Sequence, residues 1–382
     1  MKDHATQAFA SKMKVPFFDY TRVYASEGPR YDAVLKDVLY RSDFIMRQDL
    51  LAFEKELAQY IGVRHVIGVA NGTDAIWLAL LAGGIKPGDE VIMPSHTYVA
   101  TAGAARTIGA IPVLVDCGDD HLIDPKSVNS VVSTTSKALI PVQLNGRTAK
   151  MDPLMDIARQ NNLIIVEDSA QGLGSRYKGR MAGTFGLAGT YSFFPAKVLG
   201  CFGDGGAVVT DNDNVAEKIR LLRDHGRDEK GNIRCWGFNS RLDNIQAAIL
   251  FEKLKTFDRD ISQRRKIAKL YHEGLSDIHS LLLPAAPEEE PDHFDTYQNF
   301  EVEVTESRDE LREFLANEGV GTIVQWGGKA LHQMKELGFK EKNLPRTDLL
   351  FQRAIMLPMN QYLSEIEAEY VIYKIREFYD VQ

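Results

Sequence analysis

The sequence predicts an α/β protein with a mostly parallel sheet flanked by helices, followed by a smaller C-terminal α+β part. Apolar strand-like runs alternate with helix-like segments from about Val63 to Thr210. After a long helix that ends near Phe257 this alternation stops. A chain of 382 residues is also long for one hydrophobic core. We therefore predict a large domain over 1–257, with an N-terminal helical segment, and a small domain over 258–382.

Composition narrows the classes of function. A net charge of −8 without a basic cluster argues against nucleic acid or an anionic membrane as the main partner. The three cysteines, Cys117, Cys201 and Cys235, are too widely spaced to indicate disulfides or a metal site, so we expect no metal. The start Met1-Lys2-Asp3-His4 lacks an apolar leader, and no stretch approaches the roughly 18 apolar residues of a membrane span. We expect a cytoplasmic protein.

The first segment suited to ligand binding is a strand that is followed by the start of a helix. The apolar run Val66–Ala70 enters the turn Asn71-Gly72-Thr73-Asp74, and the helical pattern Ala75–Leu80 follows. Free backbone N–H groups and the positive end of a helix suit a phosphate group. The next predicted strands are Glu90–Met93, Ile111–Val115 and Ala138–Val142.

An acid and a lysine follow the next two strands. The apolar run Leu163–Val166 ends in Glu167 and Asp168, and open α/β sheets bind ligands at strand ends of this kind. Lys197 closes the aromatic segment Ser192-Phe193-Phe194-Pro195-Ala196-Lys197. Most lysines are solvated, but apolar neighbours desolvate the amine and make it a nucleophile toward a carbonyl. The chain therefore offers a phosphate seat, a buried acid and an activated lysine.

The remainder of the chain predicts mixed helices and strands. The predicted elements are helices over Asp243–Leu250, Arg259–Leu275, Arg308–Glu318 and Ser364–Phe378, a strand over Phe300–Val304 and a loop over Pro284–Pro291.

Five motifs in order resemble the fold-type I pyridoxal phosphate (PLP) aminotransferases that act on nucleotide-linked ketosugars, the DegT/DnrJ/StrS type. Five ordered motifs are more specific than any one of them, and they extend over most of the chain. The resemblance implies that fold and PLP, with its amino form PMP, as the cofactor. The motifs are Gly72-Thr73-Asp74, Glu167-Asp168-Ser169-Ala170-Gln171, the Ser192 to Lys197 segment, Gly203-Asp204-Gly205-Gly206-Ala207 and the run from Asn239 to Ala248.

The resemblance implies the two catalytic roles. Lys197 matches the lysine that forms a Schiff base with the cofactor and then shuttles a proton between substrate and cofactor carbons. Asp168 matches the acid that keeps the pyridine nitrogen protonated. A helix cap or a surface acid is the alternative for Asp168, and its place at the end of an apolar strand favours the catalytic role.

The other cofactor contacts are also implied by the resemblance. Gly72, Thr73 and Ser192 match phosphate contacts, although serine and threonine are also common helix caps. Gln171 matches the residue near the phenolic oxygen of the cofactor. Tyr98 matches an aromatic residue that stacks on the cofactor ring, and a core position is its alternative.

Asn239 carries the prediction on assembly. In the resembling family this asparagine reaches the cofactor phosphate of the other subunit, which implies a homodimer with shared active sites. The alternative is an asparagine that only shapes the turn before the helix.

Departures from the family pattern bear on the substrate. Arg47 stands where relatives carry glycine, and it could pair with a diphosphate or be solvated. Trp326 and Lys329 suit a sugar face and a phosphate, and Trp326 could equally be a core residue. Arg147 and Asp295 replace a glutamine and a histidine that are common in relatives, at positions that shape the sugar pocket.

The predicted reaction is transamination. L-Glutamate, the usual donor in the family, would supply the amino group to a nucleotide-linked 3-keto or 4-keto hexose. The segment from Leu199 to Gly206 is slightly closer to the members that act at C3. Amino sugars for cell-surface glycans such as lipopolysaccharide O-antigen, or for glycosylated metabolites, are the expected products.

Three alternative functions are open. Ketosugar dehydratases of the same fold carry histidine in place of the lysine, whereas this chain has Lys197. A dinucleotide oxidoreductase would need a third glycine after Gly172-Leu173-Gly174, where Tyr177 stands. A sensor could retain the fold without catalysis, and the retention of Lys197, Asp168 and Gln171 argues against it.

Overall fold

A computed structural model describes residues 12–380. The prediction on the leader, which concerns Met1-Lys2-Asp3-His4, lies outside the described residues. Within the described part of the chain, no helix has both the length and the apolar content needed to cross a membrane.

The helices follow the predicted order. They are α1 (Tyr20–Arg41), α2 (Gln48–Ile61), α3 (Gly72–Ala82), α4 (Val99–Thr107), α5 (Pro125–Val131), α6 (Met151–Gln160), α7 (Asp213–Arg223), α8 (Asn244–Leu254), α9 (Phe257–Leu275), α10 (Arg308–Asn317), α11 (Pro345–Arg353) and α12 (Glu365–Phe378).

The strands of the large sheet and Phe300–Val304 lie within a few residues of the predicted runs. Five further strands were not predicted: Arg176–Tyr177, Arg180–Met181, Leu281–Leu282, His293–Phe294 and Ala354–Leu357. In chain order the strands are β1 (His65–Val69), β2 (Glu90–Pro94), β3 (Ile111–Val115), β4 (Ser136–Leu139), β5 (Ile164–Asp168), β6 (Arg176–Tyr177), β7 (Arg180–Met181), β8 (Ala188–Ser192), β9 (Gly206–Thr210), β10 (Leu281–Leu282), β11 (His293–Phe294), β12 (Phe300–Val304) and β13 (Ala354–Leu357).

The large sheet confirms the predicted mostly parallel architecture. Its strand order is β1-β9-β8-β5-β4-β2-β3. Strands β8, β5, β4, β2 and β3 pair in parallel, while β9 runs antiparallel to both β8 and β1. The carboxyl ends of the parallel strands therefore meet at one edge of the sheet, where the predicted site residues follow them.

Both faces of this sheet are buried. Along β1, Ile67 and Val69 belong to one core cluster and Val66 to another, because successive side chains of a strand point to opposite faces. Strand β9 alternates in the same way, with Val208 in the first cluster and Val209 in the second. Helices must therefore cover both faces, which accounts for the continuous apolar runs in the sequence.

The C-terminal part has its own core around a small antiparallel sheet of order β10-β12-β13. Phe300, Val302 and Val304 of β12 point into this core with residues of α9, α10 and α12. Val15, near the start of the described chain, also packs there. The division at residues 257 and 258 stays a prediction.

Candidate active site

A cavity of about 630 Å³ lies at the carboxyl edge of the large sheet. It brings together most of the predicted site residues although they are far apart in the sequence. The predicted residues that line it are Gly72, Thr73, Tyr98, Asp168, Gln171, Ser192, Lys197 and Trp326.

The predicted phosphate seat lies at the start of α3. The Asn71 side chain caps this helix by accepting a hydrogen bond from the Asp74 N–H at 2.8 Å. Gly72 packs against Ser192 so closely that a Cβ atom on Gly72 would lie 2.8 Å from the Ser192 Cβ. Glycine is therefore required here, and Gly72 and Thr73, the first two residues of α3, line the cavity.

Asp168 ends β5 and is 5% exposed. Its Oδ2 accepts a hydrogen bond from the Thr101 hydroxyl at 2.7 Å, and its Oδ1 accepts one from the Ala170 N–H at 3.1 Å. Burial raises the pKa of this carboxyl, while these two hydrogen bonds and the Lys197 ammonium oppose the rise. Sequence reasoning missed Thr101, whose position three residues after Tyr98, on a helix that follows a strand, was the available signal.

Lys197 lies in a tight turn after β8. Its backbone N–H donates to the Phe194 carbonyl at 2.8 Å. Gly200 closes the turn, since a Cβ there would lie 2.7 Å from the Phe194 and Pro195 carbonyl oxygens. Burial lowers the pKa of the Lys197 amine to about 8, and the Asp168 carboxylate acts in the opposite direction.

The lowered pKa leads to a prediction on pH dependence. An amine attacks a carbonyl only as the free base, so the reactivity of Lys197 rises with pH and reaches half its maximum at about pH 8 rather than near 10.5. The measurement is the rate at which PLP becomes attached to Lys197 in cofactor-free full-length protein, followed by peptide mass after borohydride reduction. Lys178 is the comparison, because its salt bridge with Asp152 raises its pKa. An inflection near 10.5 for Lys197 would contradict the desolvated setting.

The Gln171 side chain is held by two residues that do not line the cavity. Its Oε1 accepts hydrogen bonds from the Asn145 N–H at 2.9 Å and from the Asn299 amide at 3.2 Å. A backbone N–H can only donate, so the contacting atom of Gln171 is its oxygen. The amide nitrogen of Gln171 is thereby left as the donor available to a ligand.

Three aromatic residues, Tyr98, Phe194 and Trp326, line the cavity. Tyr98 precedes α4 and is 56% exposed, so its ring is free to stack on a ligand. Trp326 is partly buried, has a φ of 49°, and packs with its ring centroid 5.1 Å from that of His96. Trp326 thus serves the core and the cavity wall at once.

The other three predicted residues lie outside the cavity of the single chain. Arg47, Asn239 and Lys329 are exposed and are not among its lining residues. The two departures Arg147 and Asp295 form an ion pair with each other at 2.5 Å and likewise do not line the cavity. The two departures from the family pattern therefore occur at residues that contact each other.

The cavity residues fit PLP. The close approach of Gly72 to Ser192 leaves a cradle of backbone N–H groups for a phosphate, and an acid and a desolvated amine line the same space. The fold and this cavity define the class of α/β aminotransferases that use PLP. The DegT/DnrJ/EryC1/StrS aminotransferase family model matches residues 26–376, so the chain belongs to that family.

Similar proteins support the same class. The chain is 40% identical to a pleiotropic regulatory protein of Geobacillus stearothermophilus, over 96% of this chain and 99% of that protein. It is 39% identical to dTDP-3-amino-3,4,6-trideoxy-alpha-D-glucose transaminase of Streptomyces venezuelae, over 97% of each. It is 35% identical to UDP-2-acetamido-2-deoxy-3-oxo-D-glucuronate aminotransferase of Pseudomonas aeruginosa, over 92% of this chain and 96% of that one. Several relatives thus support a nucleotide-sugar aminotransferase.

Solved structures agree on fold and cofactor. S. venezuelae DesV in complex with a ketimine intermediate superimposes with a TM-score of 0.91 at 39% identity, covering 96% of this chain and 98% of DesV. NtdA from Bacillus subtilis with bound PMP gives a TM-score of 0.88 at 31% identity, covering 95% and 85%. The predicted family, the fold class, the aminotransferase class of enzyme and the PLP cofactor are confirmed.

Proposed function

We propose that this protein moves an amino group from L-glutamate to a nucleotide-linked keto-hexose, with a 3-keto sugar favoured over a 4-keto sugar. The observation that carries the proposal is the placement of the desolvated Lys197 amine and the buried Asp168 carboxylate in one cavity with the α3 start. Relatives named for 3-oxo, 3-dehydro or 3-amino sugars support the preference for C3.

The residues divide the chemistry among themselves. Bound PLP supplies an aldehyde and an electron-accepting ring. Lys197 binds the cofactor and afterwards moves a proton at its Nζ, which its lowered pKa allows near neutral pH. Asp168 would pair with the protonated ring nitrogen, and Thr101 donates to its carboxylate and holds it in place.

The remaining cavity residues orient the cofactor. Gly72, Thr73 and Ser192 would bind its phosphate at the start of α3, because that helix end presents N–H groups and a positive dipole. Tyr98 would stack on the ring, and the amide nitrogen of Gln171 would donate to the phenolic oxygen.

Three residues are proposed to contact the substrate. Trp326 borders the cavity and offers an aromatic face to the sugar. Arg47 and Lys329 are exposed cations that would meet the diphosphate from outside. The product is an amino sugar for a cell-surface glycan such as lipopolysaccharide O-antigen or for a glycosylated metabolite. A cytoplasmic location stays a prediction.

The assembly in this proposal is a homodimer with shared sites. Large apolar side chains are exposed next to the cavity and on the loop before Asn239: Tyr98 56%, Phe194 47%, Trp236 96% and Phe238 44%. Such exposure is typical of a surface that a partner covers. A second copy would bury these rings and bring its Asn239 toward the phosphate end of the cavity.

The first test of function is the amino-donor half-reaction. L-Glutamate added to purified protein without sugar is expected to remove the visible absorbance band of the bound cofactor. D-Glutamate at the same concentration is the control. Screening nucleotide-linked 3-keto and 4-keto hexoses against the amine-loaded protein then identifies the acceptor. No change with L-glutamate, or amino transfer only to 4-keto sugars, would contradict the corresponding part of the proposal.

Sharing of the sites is tested by mixing inactive subunits. Lys197→Ala and Asn239→Ala homodimers are each expected to be inactive or weak, whereas mixed dimers regain activity because one of their two sites has both native residues. The measurement is turnover after co-refolding or co-expression, with each variant alone as the control. An absence of recovery in verified mixed dimers would mean that Asn239 acts within its own chain or not at all.

The alternatives are separated by the same assays. A dehydratase would consume the ketosugar without glutamate, and the presence of Lys197 argues against it. A regulatory role is suggested by the names of two relatives, the pleiotropic regulatory protein and the erythromycin biosynthesis sensory transduction protein EryC1 of Saccharopolyspora erythraea. Turnover with glutamate and a ketosugar would show that the site is catalytically intact.

A further inference from the structure

The side chain of Gln298 contacts the turn that carries Lys197. Gln298 lies two residues before β12 and is 6% exposed. Its Oε1 accepts a hydrogen bond from the Val198 N–H at 2.9 Å, and its Nε2 donates one to the Ala196 carbonyl at 2.9 Å. One carboxamide therefore joins the residues on both sides of Lys197.

The orientation of this carboxamide is determined by its partners. A backbone N–H can only donate and a backbone carbonyl can only accept. Turning the Gln298 amide over would place donor against donor at Val198 and acceptor against acceptor at Ala196. The pair of bonds thus has one arrangement, which holds the peptide groups around Lys197 in one direction.

The backbone of Gln298 is itself anchored. The fully buried Arg264 of α9 donates from Nη1 to the Tyr297 and Gln298 carbonyls, each at 3.1 Å. Its Nη2 donates to the Gln361 side chain at 2.8 Å. The carboxamide therefore extends from a rigid support in the C-terminal part of the chain to the turn after β8.

The backbone-to-backbone hydrogen bonds within the turn are local, and the Lys253 side chain donates to the Gly200 carbonyl at 2.6 Å. Lys197 donates to the Phe194 carbonyl, and Cys201 donates to the Phe193 carbonyl, each at 2.8 Å. Phe194 is 47% exposed and Ala196 is partly exposed, so packing restrains this side of the turn weakly. The Gln298 bonds tie it to a distant segment of the chain.

We propose that Gln298 is a positioning residue that fixes the direction in which the Lys197 side chain leaves its turn. The inference rests on the proposed function, since it takes Lys197 as the amine that binds the cofactor. Gln298 needs no contact with the cofactor or the substrate for this role. Misplacement of a reacting group by about 1 Å costs about 10²-fold in rate, so the effect is large enough to measure.

The test compares two variants with a matched control. Gln298→Met keeps the length of the side chain and removes both hydrogen bonds, whereas Gln298→Glu keeps only the acceptor for the Val198 N–H. Gln263→Ala is the control, because Gln263 donates a single bond to the Leu363 carbonyl and does not contact the turn. Two readouts are measured on full-length protein: hydrogen exchange at the Val198 amide of the holoenzyme, and the rate of PLP attachment to Lys197 after cofactor removal.

In Gln298→Met, we expect hydrogen exchange at the Val198 amide to be faster by about tenfold or more. We expect PLP attachment to Lys197 to be slower by about tenfold or more. Gln298→Glu should show a smaller attachment defect, and Gln263→Ala should attach PLP at the wild-type rate. Attachment within twofold of wild type in Gln298→Met overturns the inference, and Gln298→Glu decides if Gln298→Met does not fold. If wild type attaches no PLP at Lys197, the proposed function is wrong, while unchanged Val198 exchange in Gln298→Met would separately overturn the role of Gln298.

Discussion

The Lys197→Ala variant is expected to lose turnover by at least about 10³-fold. Removal of the amine takes away both the group that binds the cofactor and the base that moves a proton within the cavity. The variant should still bind PLP through the phosphate seat, because Gly72 and Ser192 do not depend on the lysine side chain. Turnover measures the loss of catalysis. The mass of the protein after borohydride reduction shows whether PLP is still covalently attached.

Lys178→Ala is the control for this experiment. Lys178 is an exposed lysine paired with Asp152, and its loss should leave turnover and PLP retention unchanged. If Lys197→Ala kept wild-type turnover, or if borohydride still fixed PLP to it at one stoichiometric position, the role given to Lys197 would be wrong.

The second large effect is expected from Asp168→Asn. The asparagine side chain keeps the size of the aspartate. Its oxygen can accept from the Ala170 N–H, and its amide nitrogen can donate to the Thr101 hydroxyl, which is able to turn and accept, so the variant should fold normally. It lacks the negative charge that pairs with the protonated ring nitrogen. We expect a loss of about 10²-fold or more in kcat, as for other electrostatic groups in active sites.

The neighbouring Glu167 supplies a contrast. Its carboxylate is fully buried and accepts hydrogen bonds from Gln143 and from the N–H groups of Gly183, Phe185 and Gly186. Glu167→Gln would set an amide against these donors and lower the free energy of unfolding by about 1–3 kcal/mol. Asp168→Asn is thus expected to lower kcat and to leave thermal unfolding unchanged, whereas Glu167→Gln is expected to act mainly on thermal unfolding. Equal kcat in Asp168→Asn and wild type would remove Asp168 from the mechanism.

Much of the fold could be predicted because local patterns report it. The buried strands appear as apolar runs such as Leu163–Val166, and the glycine turn at Gly72 marks the start of α3. Strand Phe300–Val304 was predicted with the bounds that the structure has. Helices Asp243–Leu250 and Arg259–Leu275 were predicted slightly too short, since helix ends depend on caps and packing.

Part of the site could not be found in this way. Thr101 contacts Asp168 through a helix that is 67 residues away in the sequence, and threonine has many roles in helices. Gln298 reaches the Lys197 turn across 100 residues. Neither residue belongs to a motif, so only the folded chain identifies it. The ion pair of Arg147 and Asp295 is also visible only after folding.

The sequence by itself determined the class of fold, and it supplied the candidate residues for the chemistry. Hydrophobic periodicity, glycine turns and ordered motifs are local properties, and they can be read one segment at a time. The tertiary structure decided which residues share the cavity, how far Lys197 is desolvated beside Asp168, and which side chains hold these groups in place. Burial and hydrogen-bond geometry depend on segments brought together from distant parts of the chain, and no local pattern encodes them.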